Sequence, residues 1–236
     1  MGISRPFHFQ LPPSILYKYC PPERIDILEN LTVRFSPPSA FNDTFDTQYG
    51  GRATNVKDRF QHQKFRIKLG IVCLTETADD PLMWAHYAGN HTGFVIGFDS
   101  GASFFTDDGR QLGPVHYTEL ERVNVPRMSL DDLSLCFYKA PDWQTEREWR
   151  CVRKFESSES RLVFLGPEPI RQIIVGYKAD AALIGQLVRH VALNEISDVQ
   201  FFLSTPDKAL WRFNHFKKAY SLCQNCTGQG YIEAQK

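Results

Sequence analysis

The chain has 236 residues, and its 27 Lys and Arg balance 27 Asp and Glu, so the formal net charge is zero and no global basic field exists to coat a nucleic acid. Hydrophobic residues make up 42% and charged residues 23%, enough for one sizeable core that needs no disulfide or metal to fold. Met1–Gln10 contains no apolar h-region and no run of about 18 apolar residues occurs, so the sequence predicts a cytoplasmic protein with no membrane partner and six reduced cysteines.

Ile15 to Tyr19 is aromatic and apolar and reads as a first strand, stopped by Pro21-Pro22. Glu23 to Asn30 puts Ile25, Ile27 and Leu28 on one side and predicts a short helix with Pro22 near its start. Thr32 to Ser36 alternates as a strand does, and Pro37-Pro38-Ser39 turns the chain into the loop Phe41 to Asp46. Residues 52–68 are polar and read as helical or mobile, and Lys68 to Thr75 reads as a buried strand. Asp79-Asp80-Pro81 predicts an Asp-capped helix with Pro in its first turn, carrying Leu82 to Tyr87 and ended by Gly89 to Gly93. Strands follow at Phe94 to Phe98 and Pro114 to Tyr117, while residues 119–135 show no clear period.

Glu148 to Phe155 alternates and predicts a strand, with Ser157 to Ser160 as a hairpin loop and Leu162 to Leu165 as its partner. Ile170 to Gly176 reads as a strand, Ala179 to Glu195 as an amphipathic helix and Val199 to Ser204 as the final strand. Consecutive strand pairs without strict βαβ alternation predict an α+β class with mixed or antiparallel sheets flanked by helices. The expected organisation is one domain over residues 1–222 and a flexible tail over 223–236. Neither common phosphate-binding glycine loop occurs.

Several segments carry residue types suited to chemistry. Trp143-Gln144-Thr145-Glu146-Arg147-Glu148-Trp149-Arg150 places two carboxylates, beside aromatics, on one side of an extended chain, where they could bond a sugar hydroxyl and steady positive charge as a C–N or C–O bond breaks. The same residues equally describe a charged edge strand with salt bridges to Arg147 or Arg150. Trp84 to Phe94 gathers Trp84, His86, Tyr87 and His91 beside glycines that permit close backbone approach to a ligand; the plainer reading is a packed helix with Gly89 as its C-cap. His86 and His91 lack the spacing of a helical metal pair, and no metal site is predicted.

Phe41-Asn42-Asp43 offers rings, an amide and a carboxylate to a ligand, or forms an Asx-turn. Tyr17-Lys18-Tyr19 sets a cation between aromatics, suited to a phosphate or ribose, or simply alternates between two faces. Cys223 to Gly230 resembles half of the zinc-binding repeat of the DnaJ chaperone family but supplies only one cysteine pair. Cys73, Cys136 and Cys151 lie in apolar stretches and are expected in the core.

Taken in order, Leu16-Tyr17-Lys18-Tyr19, Phe35-Ser36, Phe41-Asn42-Asp43, Val72-Cys73-Leu74-Thr75, Met83-Trp84-Ala85-His86-Tyr87-Ala88, His91 to Phe98, Trp143, Glu146 to Arg150 and Ile173-Ile174-Val175-Gly176 resemble a bacterial family, domain of unknown function 2971. The usual proline after Asn-Asp is Thr44 here. More remotely, the order of features is similar to the ADP-ribosyltransferase superfold.

That resemblance implies NAD as substrate. Tyr17 or Lys18 would grip ribose and phosphates, Thr75 would be the strand hydroxyl, and Glu148 would bond the nicotinamide ribose and stabilise an oxocarbenium-like transition state. Glu146 would orient or deprotonate the acceptor. Phe41, Trp84 or Tyr87 would stack on nicotinamide, and Asn42, His86 and His91 would line the adenosine or phosphate side, with Asp43 also in the binding set. The implied activity is ADP-ribosyl transfer or NAD hydrolysis, of bacterial toxin or anti-phage type, on a nucleic-acid or protein acceptor, with Glu148→Gln expected to remove activity and leave the fold intact. Two other readings stay open: a non-catalytic nucleotide-sensing module, and a metal-dependent nuclease using Asp43, Asp46 and Glu148.

Overall fold

The computed structural model describes residues 10–43, 45–47, 63–119, 133–156, 158–218, 220–222 and 231–233. In chain order the strands are β1 (Ile15–Cys20), β2 (Thr32–Arg34), β3 (Leu69–Thr75), β4 (Phe94–Asp99), β5 (Gln111–Pro114), β6 (His116–Tyr117), β7 (Tyr138–Lys139), β8 (Glu148–Lys154), β9 (Leu162–Phe164), β10 (Ile170–Val175), β11 (Gln200–Asp207), β12 (Arg212–Lys218), β13 (Tyr220–Leu222) and β14 (Tyr231–Glu233). The helices are α1 (Asp26–Asn30), α2 (63–68), α3 (Pro81–Tyr87) and α4 (Ala181–Leu193). Among the described residues no helix is long and apolar enough to cross a membrane.

Eight strands form one sheet in the order β12-β11-β10-β4-β1-β3-β8-β5. Its neighbours are antiparallel except β10 and β11, which are parallel and joined through α4, the crossover that a parallel pair requires. The chain is therefore α+β with a mixed, largely antiparallel sheet.

One face of the sheet carries Leu16, Ile96, Phe98, Ile173 and Val175 against Leu183, Leu187, Val188 and Val191 of α4. The helical period puts those four α4 residues on one stripe, and Asp180 caps the helix through the Leu183 N–H. The other face carries Tyr19, Val95 and Ile174 under Trp84 of α3 and Phe213 of β12. Asp80 caps α3 as its sequence predicts, accepting from the Leu82 and Met83 N–H groups.

The ladder is uneven in a way that matters for function. β1 pairs with β4 along its whole length, and β3 pairs with β8 from Leu69/Lys154 to Thr75/Glu148. Between β1 and β3 the register holds at a single pair, Tyr17 with Thr75. Beyond that point the sheet forks, and Lys18 Nζ spans the gap to the Cys73 carbonyl at 3.4 Å.

Several expectations from the sequence are corrected. Leu162–Phe164 pairs with β2 rather than forming a hairpin with β8, because both sides of β8 are already occupied by β3 and β5. For the same reason Glu148 to Lys154 is an interior strand, not an edge. β11 is not the last strand: β12 follows it and forms the sheet's cationic edge, a composition that discourages edge-to-edge pairing.

The helix expected over residues 23–30 is a 3-10 turn, Pro22–Ile25, followed by α1. The glycines after α3 pack against the chain itself: a Cβ on Gly93 would meet the Cys20 carbonyl oxygen at 2.1 Å, and one on Gly89 would meet the Pro22 ring and the Thr92 hydroxyl at 2.9 Å. Residues 52–62, 120–132 and 223–230, with the Cys223 and Cys226 pair, lie outside the described residues, as does Thr44. Of the expected tail, Tyr231–Glu233 pairs antiparallel with β13.

Candidate functional site

Arg150 is the hub of a buried polar cluster. It is wholly inaccessible, yet all of its donors are engaged. Nε and Nη2 donate to Glu148 at 2.8 and 3.0 Å; Nη1 and Nη2 donate to Asp46 at 2.8 and 2.5 Å; Nη1 also reaches the Cys136 carbonyl at 2.6 Å. One guanidinium thereby ties β8 to the loop at Asp46 and to the 3-10 turn Leu133–Phe137. A buried charge persists only when paired and hydrogen-bonded in this way.

Glu146 closes the 3-10 turn Pro141–Glu146, and Arg147 has a left-handed φ of 45°. The segment is thus bent rather than extended, and the two carboxylates converge on a common cation instead of merely sharing a strand face. Lys139 Nζ donates to Glu146 at 2.5 Å and to Glu148 at 3.0 Å, with the Trp143 ring 4.7 Å away. The turn is pinned from β3, where Thr75 Oγ1 donates to the Glu146 carbonyl at 2.6 Å. Tyr87 Oη donates to the Glu146 carboxylate at 2.7 Å, and Tyr117 Oη accepts the Glu148 N–H at 2.7 Å.

The electrostatics follow from this wiring. Burial alone would raise the Glu148 carboxyl, but Arg150 and Lys139 outweigh it and bring the group down to about 2. Glu148 is therefore a fixed anion, unsuited to proton transfer at neutral pH. Burial opposes the charge on Lys139, and the Glu148 and Glu146 carboxylates more than restore it. Burial and then Glu148 push the Cys73 thiol well up, so it stays protonated and bonds that carboxylate. Three carboxyl groups (Asp46, Glu146, Glu148) converge on two cations (Lys139, Arg150), and burial, opposed by Arg150, raises the Asp46 carboxyl above its ordinary value.

A cleft of about 280 Å³ opens at the fork of the sheet, directly above this cluster. From β1 it takes Tyr17 and Lys18; from the loop, Phe41, Asn42 and Asp43; from β3, Thr75; from α3, Tyr87; and from the turn and β8, Glu146 and Glu148. Met83 and Tyr87, one helical turn apart, face the cleft together.

The same helical geometry directs the other candidates elsewhere. Trp84 faces the core, wholly buried, with Nε1 donating to the Ala78 carbonyl at 2.7 Å. His86 points to solvent. His91, at φ 71°, packs its ring on Tyr177 and Phe213, each 5.3 Å away. These three residues stand apart from the cleft.

Trp143, the first residue of the segment that carries the two glutamates, also lines the cleft, as does Lys139, which the sequence does not single out. Cys73 lines it too, and is only partly buried, unlike Cys136 and Cys151. The nuclease reading meets a specific obstacle, because the Arg150 guanidinium occupies the space between Asp46 and Glu148 where a metal would sit. Asp43 Oδ1 instead accepts the Phe45 N–H at 2.8 Å in an Asx-turn. Among the described residues no group of three or more metal-ligating side chains could hold an ion.

Residues 83–151 match the model of a family described as Protein of unknown function (DUF2971). That span contains the last five residues of α3 (Met83 to Tyr87), β4 and the Lys139, Glu146, Glu148 and Arg150 positions of the cluster, and the match supports the family resemblance there. No curated protein matches the chain. No solved structure matches it either.

Proposed function

We propose that the cleft binds the nicotinamide-ribose end of NAD and that the protein is an ADP-ribosyl-transferring enzyme acting on a macromolecule, in the manner of a bacterial toxin or anti-phage effector. The observation that carries this reading is the register across the fork. Tyr17 pairs with Thr75, and Thr75 pairs with Glu148, so a first-strand aromatic and its neighbouring Lys18, a strand hydroxyl and an ionised glutamate stand side by side on adjacent strands at one cleft.

In this reading each residue has a physical role. Phe41 and Tyr87 provide aromatic surface for the nicotinamide ring. Lys18 has no carboxylate partner among the described residues and meets a phosphate. Glu148 supplies fixed negative charge beside the sugar as positive charge develops on it, an effect strengthened by exclusion of water. The bond from C1′ of the ribose to the nicotinamide nitrogen breaks, with its electron pair leaving on neutral nicotinamide. A lone pair from the acceptor's oxygen or nitrogen forms the new bond to C1′, and the acceptor's proton passes to solvent.

The saturation of Glu148 by Arg150 and Lys139 favours a second reading, in which the same cleft senses a nucleotide without turning it over. One experiment separates the two. Purified protein is given NAD, nicotinamide or ADP-ribose; melting temperature reports binding, and chromatography, with a bacterial lysate added as the source of acceptor, reports release of nicotinamide beyond that of the lysate alone. Release supports the enzyme, a shift without release supports the sensor, and neither effect removes both.

A further inference from the structure

A second, larger cleft of about 550 Å³ lies on the other side of the Glu146–Glu148 turn. Glu146 lines the first cleft, Arg147 the second, and Glu148 both. We infer that this second cleft holds the acceptor and that the acceptor is a polypeptide segment, not a nucleic acid; the inference rests on the transferase reading above and specifies its second substrate.

The lining decides between the two classes. Arg147 projects its exposed side chain here with no carboxylate partner among the described residues. Glu76 Oε1 accepts a hydrogen bond from the Trp149 Nε1–H at 2.8 Å, which leaves Oε2 for a ligand. The Tyr117 hydroxyl accepts the Glu148 N–H and keeps its own proton to donate. The exposed side chains of Gln144 and Thr145 complete the rim.

One cation (Arg147), two carboxylates (Glu76 and Glu148), two amides and two hydroxyls match the mixed donors, acceptors and charges of a peptide chain. A nucleic-acid strand brings a phosphate at every residue, would find a single cation here, and would face Glu76. The shared Glu148 places the acceptor's entry beside the group that steadies the sugar cation.

The test uses the full chain with NAD labelled on its adenosine half and a bacterial lysate. Thr145→Trp and Gln144→Trp fill the second cleft from exposed positions that support no core contact. The expected result is macromolecular label destroyed by protease and resistant to nuclease. In either variant the protein label falls by about tenfold or more while the thermal shift produced by NAD is kept. Label destroyed by nuclease overturns the polypeptide assignment. Protein label undiminished in both variants overturns the cleft as its location. NAD left intact by the wild type overturns the transferase reading itself, and the acceptor site with it.

Discussion

Arg150 and Asp46 face each other through two parallel hydrogen bonds, at 2.8 and 2.5 Å, with both side chains sealed from solvent. The pair clamps the loop that carries Phe41 to Asp43 onto β8, so its strength sets the shape of one cleft wall. Asp46→Ala leaves the guanidinium with unpaired buried donors and is expected to cost about 3–5 kcal/mol, read by urea denaturation. Arg150→Lys is expected not to rescue the site, because an ammonium cannot reproduce the planar fork that serves Asp46 and Glu148 together. A loss below about 1 kcal/mol in Asp46→Ala would remove the clamp from the account.

Glu148→Gln is expected to destabilise the protein as well as silence it, which revises the expectation from sequence that the fold would be untouched. The amide turns a donor towards the Arg150 or Lys139 donors, at a cost of about 1–3 kcal/mol. The sign with pH is set by the depressed carboxyl. Because the folded group titrates at about 2 and the ordinary value is 4.5, its stabilisation is complete above 4.5 and fades as pH falls towards 2. The gap in melting temperature between wild type and variant should therefore narrow across that acid window and stay constant above it.

Thr75→Val removes the hydroxyl that bonds the Glu146 carbonyl while keeping the side-chain shape. The buried carbonyl loses its partner, so a cost of about 1–3 kcal/mol is expected. The turn bearing Glu146 loosens with it, and the thermal shift produced by NAD should shrink beyond what the stability change explains. An unchanged NAD shift would separate Thr75 from the cleft's function.

Burial holds the His215 imidazole below its ordinary value, against weaker opposition from Asp79 and the Ala78 backbone. The unfolded chain takes up that proton near 6.5, so stability should decline as pH drops through 6.5 towards the lowered folded value. His215→Phe should flatten that decline. Burial and then Lys178 lower His91 in the same direction, which accounts for any slope that remains.

Much of the cleft was legible in the sequence because its parts are local. Asp80 before Pro81 reads as a cap, the apolar runs of β1 and β3 and the alternation of β8 read as strand, and Tyr17, Phe41, Asn42, Tyr87, Glu146 and Glu148 sit in segments dense with polar and aromatic residues, while Thr75 enters as a site residue only through the remote resemblance. What was illegible depends on long-range pairing. Nothing near Asp46 announces Arg150, 104 positions away, and nothing near Lys139 tells that it bridges two glutamates. The β12 strand was missed because Arg212, Lys217 and Lys218 dilute its alternation. Leu162–Phe164 was given the wrong partner because a strand's pattern records one buried face and not which edge receives it. Trp84, His86 and His91 were grouped by closeness in sequence, while the helix and the turn after it send each in a different direction.

The most direct measurement is nicotinamide release from NAD, with and without bacterial lysate as the source of acceptor, by purified wild-type protein beside Asn42→Trp, which fills the rim of the first cleft from an exposed loop, and Glu148→Gln, each confirmed folded by circular dichroism. Release by the wild type, loss in Glu148→Gln and loss in Asn42→Trp are expected. Release that persists undiminished in both variants, or NAD left intact by the wild type under every condition, would contradict the transferase reading.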